Sequence, residues 1–310
     1  MSSDLPLVSI VAICYNQARF AVETLESIRN QTYPNIQLIV VDDCSTDNSA
    51  EVIQNWIDEH KVDCEFVKHA ENLGVTKTCN DGLRRVKGEY YQIIACDDIL
   101  LTEKIERQAK LLIQADLKVA LVYSDAFLMN QNSEWSRSGG KFIQLNNLLF
   151  SIPTGSLTRF LIKSNGLICA PTVLIKSQLA KDIGWYDEKL RFEDLDMWLR
   201  LSTKHEILFD ERISTCYRIH NNNYTNALKR DFDQLESWFL IYWKHRISHR
   251  NDIYPRLISI IKLMVLQSNA SVKEYVRMIV HFYKPANNLK FALIRYLPIK
   301  LISLMVRFLN

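Results

Sequence analysis

The chain has 310 residues, 48% of them hydrophobic, and a formal net charge of +3. This length is typical of two domains or of one large domain with an appendage, and the apolar content excludes an intrinsically disordered chain. No window offers the roughly 18 uncharged apolar residues of a membrane-spanning helix, and the first apolar run lacks the basic segment that begins a signal peptide. The seven scattered cysteines contain no C-x-x-C pair, which predicts reduced thiols in a cytoplasmic protein and argues against a disulfide framework or a structural zinc site.

Charge is distributed unevenly along the chain. Residues 1–225 hold 24 Lys and Arg against 30 Asp and Glu, whereas residues 226–310 hold 14 against 5. This shift predicts an acidic domain over residues 1–225 and a basic, mostly helical region over residues 226–310. Nucleic acid is a poor partner for the basic region, because its Lys and Arg residues are interleaved with Leu and Ile and no recognition motif occurs.

Strands and helices alternate over the first 125 residues. Runs rich in β-branched and aromatic residues predict strands at 7–13, 36–41, 64–67, 90–96 and 119–123. Helices are predicted after Asn16, which can act as an N-cap, after the turn at Ser45–Ser49, from Thr76 to Val86 and from Glu103 to Ala115. The alternation predicts an α/β fold with a doubly wound, mostly parallel sheet.

The pattern is less regular after residue 130. A strand is predicted at Ala170–Ile175, short helices at Ser177–Ile183 and Leu195–Ser202, and late edge strands at Ile207–Phe209 and Ser214–Ile219. From residue 226 onward the pattern is helical.

Two predicted strands end in adjacent aspartates, Asp42 with Asp43 and Asp97 with Asp98. Parallel sheets bind ligands at the carboxyl ends of their strands. Two neighbouring like charges are stable there only when a cation or hydrogen-bond donors compensate them, and a hard divalent metal bound to substrate phosphates is one solution. For Asp97 and Asp98 the alternative is capping of the helix that starts near Thr102. Because no glycine-rich phosphate loop occurs, a nucleotide site here would hold its diphosphate through a metal.

A third acidic cluster, Arg191–Asp196, precedes the predicted helix at Leu195–Ser202. Acidic side chains there can simply cap the helix. They can also supply a carboxylate general base at the lip of a cleft.

Several motifs in a fixed order resemble family 2 glycosyltransferases, enzymes with the GT-A fold that use nucleotide-diphospho-sugars. The motifs are Leu7–Asn16, Gln31–Asp47, Asn72–Gly74, Asn80, Lys87–Tyr90, Gly184–Glu188 and Glu193 with Asp194. The resemblance covers about residues 5–225 and implies that residues 1–225 form the nucleotide-sugar-binding and catalytic domain, with residues 226–310 as a helical extension.

The resemblance also implies roles for individual residues on the donor side. Asp43 would accept a hydrogen bond from the base, expected to be a uracil N–H, and the pocket around the base would be formed by Cys14, Tyr15, Asn16 and Asn72. Asp97 would lie near the ribose or the metal, and Asp98 would bind Mg²⁺ or Mn²⁺. Many family members carry a further Asp where this chain has Ala95, so the chain offers one carboxylate fewer to a metal but keeps the essential pair.

Three further roles are implied nearer the reacting atoms. Asp194 would be the base that deprotonates the acceptor hydroxyl, and Glu193 would help to position it. His220 or Arg218 would touch the metal or the diphosphate; the alternative for His220 is a solvent-facing loop histidine.

The implied function is transfer of a sugar from a nucleotide-diphospho-sugar donor, expected to be UDP-linked, to an acceptor hydroxyl with inversion. The resemblance further implies a non-processive enzyme of bacterial surface polysaccharide assembly (O-antigen, capsule or exopolysaccharide), with a glycan or lipid-linked glycan as acceptor. The alternative is a non-catalytic scaffold subunit that binds sugar nucleotides. A dinucleotide-dependent oxidoreductase is disfavoured, because the glycine fingerprint is missing.

The basic region mixes apolar and cationic residues, with helices predicted at Tyr254–Leu266 and Leu289–Leu309. Such helices suit peripheral contact with an anionic membrane, here the inner face of the plasma membrane. Packing against the catalytic domain or a second copy of the chain, as in a homo-oligomer, is the alternative.

Overall fold

A mixed eight-stranded sheet is the centre of the computed structural model, which describes residues 5–137, 139–145, 154–164, 168–221, 223, 231–267 and 271–283. The strands are β1 (Val8–Cys14), β2 (Ile36–Asp42), β3 (Cys64–Lys68), β4 (Tyr90–Ala95), β5 (Ile99–Leu100), β6 (Val119–Asn130), β7 (Leu174–Lys176) and β8 (Glu206–Ile219). Their order is β3-β2-β1-β4-β7-β6-β8-β5. Neighbours within β3-β2-β1-β4 are parallel, as are β6 and β8, whereas β7 runs antiparallel to β4 and β6.

The helices of the described residues lie between and after these strands along the chain and are numbered in chain order. They are α1 (Ala18–Arg29), α2 (Ser49–His60), α3 (Val75–Arg84), α4 (Lys104–Gln114), α5 (Phe142–Leu145), α6 (Thr158–Ser164), α7 (Ser177–Asp182), α8 (Asp194–Ser202), α9 (Phe232–Lys244), α10 (Arg250–Leu266) and α11 (Val272–Tyr283). The predicted α/β fold with a mostly parallel sheet is confirmed.

Apolar residues on both faces of the central strands explain this architecture. Ile10 and Val40 pack in one core with Leu25 of α1 and Ile53 of α2. Val11, Ile39 and Val41 point to the other face and form a second cluster. A parallel strand covered on both faces has a nearly continuous apolar sequence, and this is the signal by which β1, β2 and β4 were recognisable.

Three predicted strands were wrong in detail. Ala170–Thr172 is a short 3₁₀ turn that precedes β7, because Pro171 fixes φ and lacks the N–H that a ladder needs. The two late edge strands are a single strand, β8, which lies between β6 and β5. An irregularity between Ser124 and Ala126 accommodates the extra residues of β8. There the buried Asp210 accepts a hydrogen bond from Arg107 at 2.6 Å.

The chain divides into two units. One comprises residues 1–188 and 192–221 and contains the sheet; the other comprises residues 189–191 and 222–310. In the second unit α9 and α11 meet through the rings of Phe239 and Tyr275, 4.8 Å apart. Within the described ranges no helix is both long and apolar enough to cross a bilayer. The predicted helix at Leu289–Leu309 lies outside the described residues.

Candidate active site

The two aspartate pairs lie at one edge of the sheet. β1 lies between β2 and β4 and is parallel to both, with Cys14 opposite Asp42 and Ile13 opposite Ala95. The carboxyl ends of the three strands therefore meet at the same edge, where parallel sheets bind ligands.

Asp43 is buried and its carboxylate is fixed by three donors. The backbone N–H groups of Leu73 and Gly74 donate to it at 2.8 and 2.9 Å, and Nδ1 of His69 lies 2.8 Å from Oδ1. Asn72 adds a hydrogen bond from its amide to the backbone carbonyl of Asp43, at 3.3 Å. The loop that follows β3 thus orients Asp43 toward the sheet edge.

His69 is a site residue that sequence reasoning missed. Its Nε2 lies 3.2 Å from Asp81 of α3, so that its ring bridges Asp81 and Asp43. Its backbone N–H donates to the carbonyl of Asp42. The available signal was its position two residues after the end of a predicted strand.

The residues after β1 shape the turn beside Asp42. Asn16 has a φ of +54°, and its side-chain oxygen accepts from the backbone N–H groups of Thr46 and Asp47. The prediction that Asn16 caps α1 is therefore wrong, since the backbone N–H of Ala18 donates to Asp47 instead.

The two neighbours of Asn16 differ in exposure. Cys14 is 2% exposed and Tyr15 is 46% exposed. The Tyr15 side chain is therefore open to a ligand at this edge, whereas Cys14 can reach one mainly through its backbone.

Asp97 and Asp98 form a buried turn between β4 and β5. Arg218 of β8 donates its backbone N–H to Oδ1 of Asp98 at 2.9 Å. Nε2 of His220 lies 2.9 Å from Oδ2 of Asp97, and the His220 side chain is only 7% exposed. The interpretation of His220 as a solvent-facing histidine is therefore wrong.

The helix-capping alternative for the same aspartates is also wrong. The chain passes from Asp98 into β5, and α4 begins only at Lys104. The backbone N–H of Ile105 donates to the side chain of Gln31.

The chemistry of the Asp97 and Asp98 pair fits a divalent cation. Burial, together with the neighbouring Asp97, raises the pKa of Asp98 well above its usual range. Two adjacent carboxylates that are both ionised and out of water are unfavourable without a compensating cation. Oxygen ligands of this kind suit Mg²⁺ and Mn²⁺. Among the described residues no three His, Cys, Asp or Glu side chains form a complete ligand set, so a cation held here would draw its remaining ligands from a diphosphate or water.

Glu193 and Asp194 stand at the start of α8. Burial and the neighbouring Asp194 raise the pKa of Glu193 to about 8, and burial raises the pKa of Asp194. Glu193 occupies the N-cap position without a side-chain capping bond, and the carboxylate of Asp194 accepts a hydrogen bond from the adjacent Leu195 N–H at 2.6 Å. The helix-capping alternative therefore does not account for this pair.

The Glu193 and Asp194 pair lines a small cavity of about 20 Å³ whose other walls are mostly apolar. The remaining lining residues are Ile93, Ala170, Val173, Ile175, Tyr186 and Trp198.

Two buried cysteine thiols are influenced by the acidic groups of the site. Burial is the main cause that raises the pKa of the Cys169 thiol, and the carboxylates of Asp98, Asp125 and Asp194 raise it further. The pKa of the Cys79 thiol is likewise raised first by burial and then by the carboxylates of Glu193, Asp194 and Asp43. Charges interact more strongly in a low-dielectric protein interior than in water, so carboxylates of the donor edge and of the cavity both affect these two thiols.

This chain belongs to glycosyltransferase family 2. The family model described as Glycosyl transferase family 2 matches residues 9–175. An uncharacterized glycosyltransferase of Rickettsia typhi is 31% identical over 75% of this chain and 70% of its own length. An uncharacterized glycosyltransferase of Methanocaldococcus jannaschii is 28% identical over 81% and 84%. TuaG of Bacillus subtilis, named as a glycosyltransferase of teichuronic acid biosynthesis, is 29% identical over 72% and 83%.

Solved structures of glycosyltransferases share the fold. TarS of S. aureus (residues 1–349, in complex with UDP-GlcNAc) superposes with a TM-score of 0.61 at 17% identity, over 89% of this chain and 73% of that 1–349 chain. The mannosyltransferase PcManGT of Pyrobaculum calidifontis, in complex with GDP-Man and Mn²⁺, gives 0.61 at 15% identity, over 98% and 84%. The fold of this chain is therefore the GT-A fold.

Proposed function

We propose that the chain transfers a sugar from a UDP-linked donor to an acceptor hydroxyl with inversion at the anomeric carbon. The observation that carries this proposal is the buried Asp97 and Asp98 pair with His220 at the end of β4, two strands away from Asp43. One sheet edge then offers a hydrogen-bond acceptor for the base and an acidic turn for the diphosphate, as a nucleotide-diphospho-sugar requires.

The base of the donor binds at Asp43. Its carboxylate already accepts three hydrogen bonds in fixed positions, and a remaining lone pair of Oδ2 can accept a uracil N–H. Tyr15 offers an exposed ring for contact with the base. The remaining pocket residues in this proposal are Cys14, Asn16 and Asn72.

The diphosphate binds beside Asp97, Asp98 and His220. In this assignment Asp98 is the direct ligand of Mn²⁺ or Mg²⁺, while Asp97 and His220 hold the ribose or complete the contacts at the metal. A bound divalent cation would act there as a Lewis acid that neutralises negative charge on the leaving diphosphate.

Asp194 is the general base of the proposed reaction. It removes the proton of the acceptor hydroxyl as that oxygen attacks the anomeric carbon from the face opposite the leaving group, which inverts the centre. Glu193 holds a proton near neutral pH, because its pKa is raised to about 8, and it positions the acceptor or Asp194 by hydrogen bonding. Base catalysis of this kind contributes roughly 10²–10⁴-fold to the rate.

The acceptor is a glycan or lipid-linked glycan of bacterial surface polysaccharide assembly. The similarity to TuaG supports this part of the proposal. The seven free cysteines suit a reducing compartment, so we place the protein in the cytoplasm, with its basic region (residues 226–310) on the inner face of the plasma membrane.

A thermal-shift screen of nucleotide sugars, each with and without Mn²⁺, tests the donor assignment. A UDP-sugar should raise the melting temperature by mass action, and more so with Mn²⁺. Stabilisation by GDP- or dTDP-sugars alone would contradict the assignment of UDP.

Transfer with the stabilising donor then distinguishes an enzyme from a non-catalytic scaffold. NMR of the product from an α-linked donor should show a β-linkage, and a retained α-linkage would contradict inversion. Asp194→Asn should lower kcat by about 10²-fold or more while leaving donor binding intact. Full transfer by this variant would overturn the assignment of the base.

A further inference from the structure

One face of helix α1 contacts the turn that contains Asp97 and Asp98. Phe20, Glu23 and Thr24 share this face through their i, i+3 and i+4 spacing. The buried hydroxyl of Thr24 donates to the backbone carbonyl of Asp98 at 2.7 Å. Helix α1 therefore holds the turn directly at one point.

Arg218 holds the same turn from β8. Its side chain is completely buried. Its Nε donates to the carbonyl of Asp97 at 2.6 Å, and its backbone N–H donates to the carboxylate of Asp98 at 2.9 Å. A single arginine thus fixes the backbone of one aspartate and the side chain of the other.

Arg218 is in turn held by helix α1. Its Nη2 donates to the carboxylate of Glu23 at 2.6 Å, and its guanidinium lies 4.4 Å from the centre of the Phe20 ring. Ser133 completes a ring of contacts, because its hydroxyl accepts from Arg218 at 2.8 Å and donates to Glu23 at 2.6 Å. The ring of Phe20 also packs against that of His220, with centroids 5.0 Å apart.

We infer that Glu23, Thr24 and Arg218 are positioning residues that set the affinity of the Asp97 and Asp98 turn for a divalent cation. None of them needs to touch the cation. A buried guanidinium that loses its carboxylate partner is strongly disfavoured, so without Glu23 it would move toward other acceptors and disturb the turn. Outer contacts of this kind typically change metal affinity by 10- to 100-fold. The inference rests on the proposed function, in which Asp98 is the metal ligand.

The test is the binding of Mn²⁺ in the presence of saturating UDP, measured by isothermal titration calorimetry on the full-length chain. In Glu23→Gln the dissociation constant of Mn²⁺ should rise by about 10- to 100-fold. Binding of uridine, which has no diphosphate and is expected at Asp43, should stay within about twofold of wild type. A general loss of structure would weaken the binding of uridine as well. Comparison of the two ligands therefore distinguishes a lost positioning contact from unfolding.

Glu26→Gln is the matched control. Glu26 lies on the same helix and pairs with Arg29 and Trp56, which are not part of the contacts around Arg218 described above. This variant should bind Mn²⁺ as wild type does. An equal loss in both variants would overturn the inference, because any lost carboxylate of α1 would then have the same effect.

Thr24→Val provides a second, nearly isosteric variant in case Glu23→Gln fails to fold. It removes only the hydrogen bond to the carbonyl of Asp98 and should also weaken the binding of Mn²⁺. Wild-type Mn²⁺ affinity in either variant that still binds uridine would overturn the inference. If the wild-type chain binds UDP without any response to Mn²⁺, the metal assignment of the proposed function fails instead.

Discussion

At the scale of single residues, Glu193 couples stability to pH. Its pKa lies near 8 in the folded chain, against an ordinary value of 4.5. Between these two pH values the folded state retains a proton that the unfolded state has lost. The free energy of unfolding should therefore decrease as pH rises from about 4.5 to 8, by at most about 1.4 kcal/mol per pH unit from this group.

Glu193→Gln should remove this contribution, because the amide keeps the size of the side chain and does not titrate. Urea unfolding at pH 5, 6, 7 and 8 should give a flatter stability profile than wild type, with the variant gaining most at pH 8. Glu59→Gln, at an exposed position of α2, should keep the wild-type profile. Parallel profiles for wild type and Glu193→Gln would contradict the raised pKa.

His69 should control nucleotide affinity without contacting the nucleotide. His69→Ala removes one of the three donors that orient the Asp43 carboxylate. A hydrogen bond to a charged group is worth about 1.5–3 kcal/mol, so the dissociation constant of UDP should rise by about tenfold or more. Fluorescence or calorimetric titration measures this.

The matched control for this effect is His60→Ala. His60 is on α2 and binds the carbonyl of Trp56, and its loss should leave UDP affinity unchanged. Unaltered affinity in a folded His69→Ala variant would mean that the backbone donors alone orient Asp43.

The sequence signal for these residues differed in strength. Asp43, Asp97 and Asp98 could be located because they follow directly after predicted strands. His69 and Arg218 act through partners 26 and 120 positions away in the chain. No local pattern encodes such contacts, so the partners became visible only in the folded chain.

At the scale of elements, the strands that are buried on both faces of the sheet were the ones that the sequence predicted best. The strands β1, β2 and β4 are nearly continuous apolar runs and were predicted within one or two residues. The strand β8 carries the polar segment Asp210–Arg212, which reads as a turn in the sequence. Its continuity depends on pairing with β6, more than 80 residues earlier, and non-local pairing leaves no periodic signal.

The packing of α3 on β1 gives a prediction at this scale. A Cβ atom at Gly82 would overlap the Cγ1 methyl of Val11, which is fully buried. Gly82→Ala should therefore destabilise the chain by about 1–3 kcal/mol, the usual cost of overpacking. Val11→Ala should also destabilise it, because it leaves a cavity.

In the double variant, the cavity left by Val11→Ala accommodates the Cβ atom that Gly82→Ala adds. Gly82→Ala with Val11→Ala should be less destabilised than the sum of the two single variants, by about 1 kcal/mol or more. Urea unfolding of the four proteins measures this coupling. Strict additivity would show that α3 moves away from β1 instead of packing against the methyl group.

At the scale of the whole molecule, the sequence separates an acidic part from a basic part. Residues 284–310 contain five Lys or Arg residues and no acidic residue. Basic residues next to an anionic bilayer contribute about 1 kcal/mol each, and apolar side chains between them can enter the interface. This composition favours a membrane surface as the partner of the segment, with a second copy of the chain as the alternative.

Flotation with liposomes tests the partner of this segment. The full-length chain should float with vesicles that contain phosphatidylglycerol, less so in 0.5 M salt, and little with pure phosphatidylcholine. A chain that ends at residue 286 should not float, and a full-length variant with Lys290, Arg295, Lys300 and Arg307 changed to Gln should bind much more weakly. Equal flotation of the full-length and shortened chains would exclude the segment as the anchor. If instead shortening changed the sedimentation coefficient from that of a dimer to that of a monomer, residues 287–310 would serve self-association.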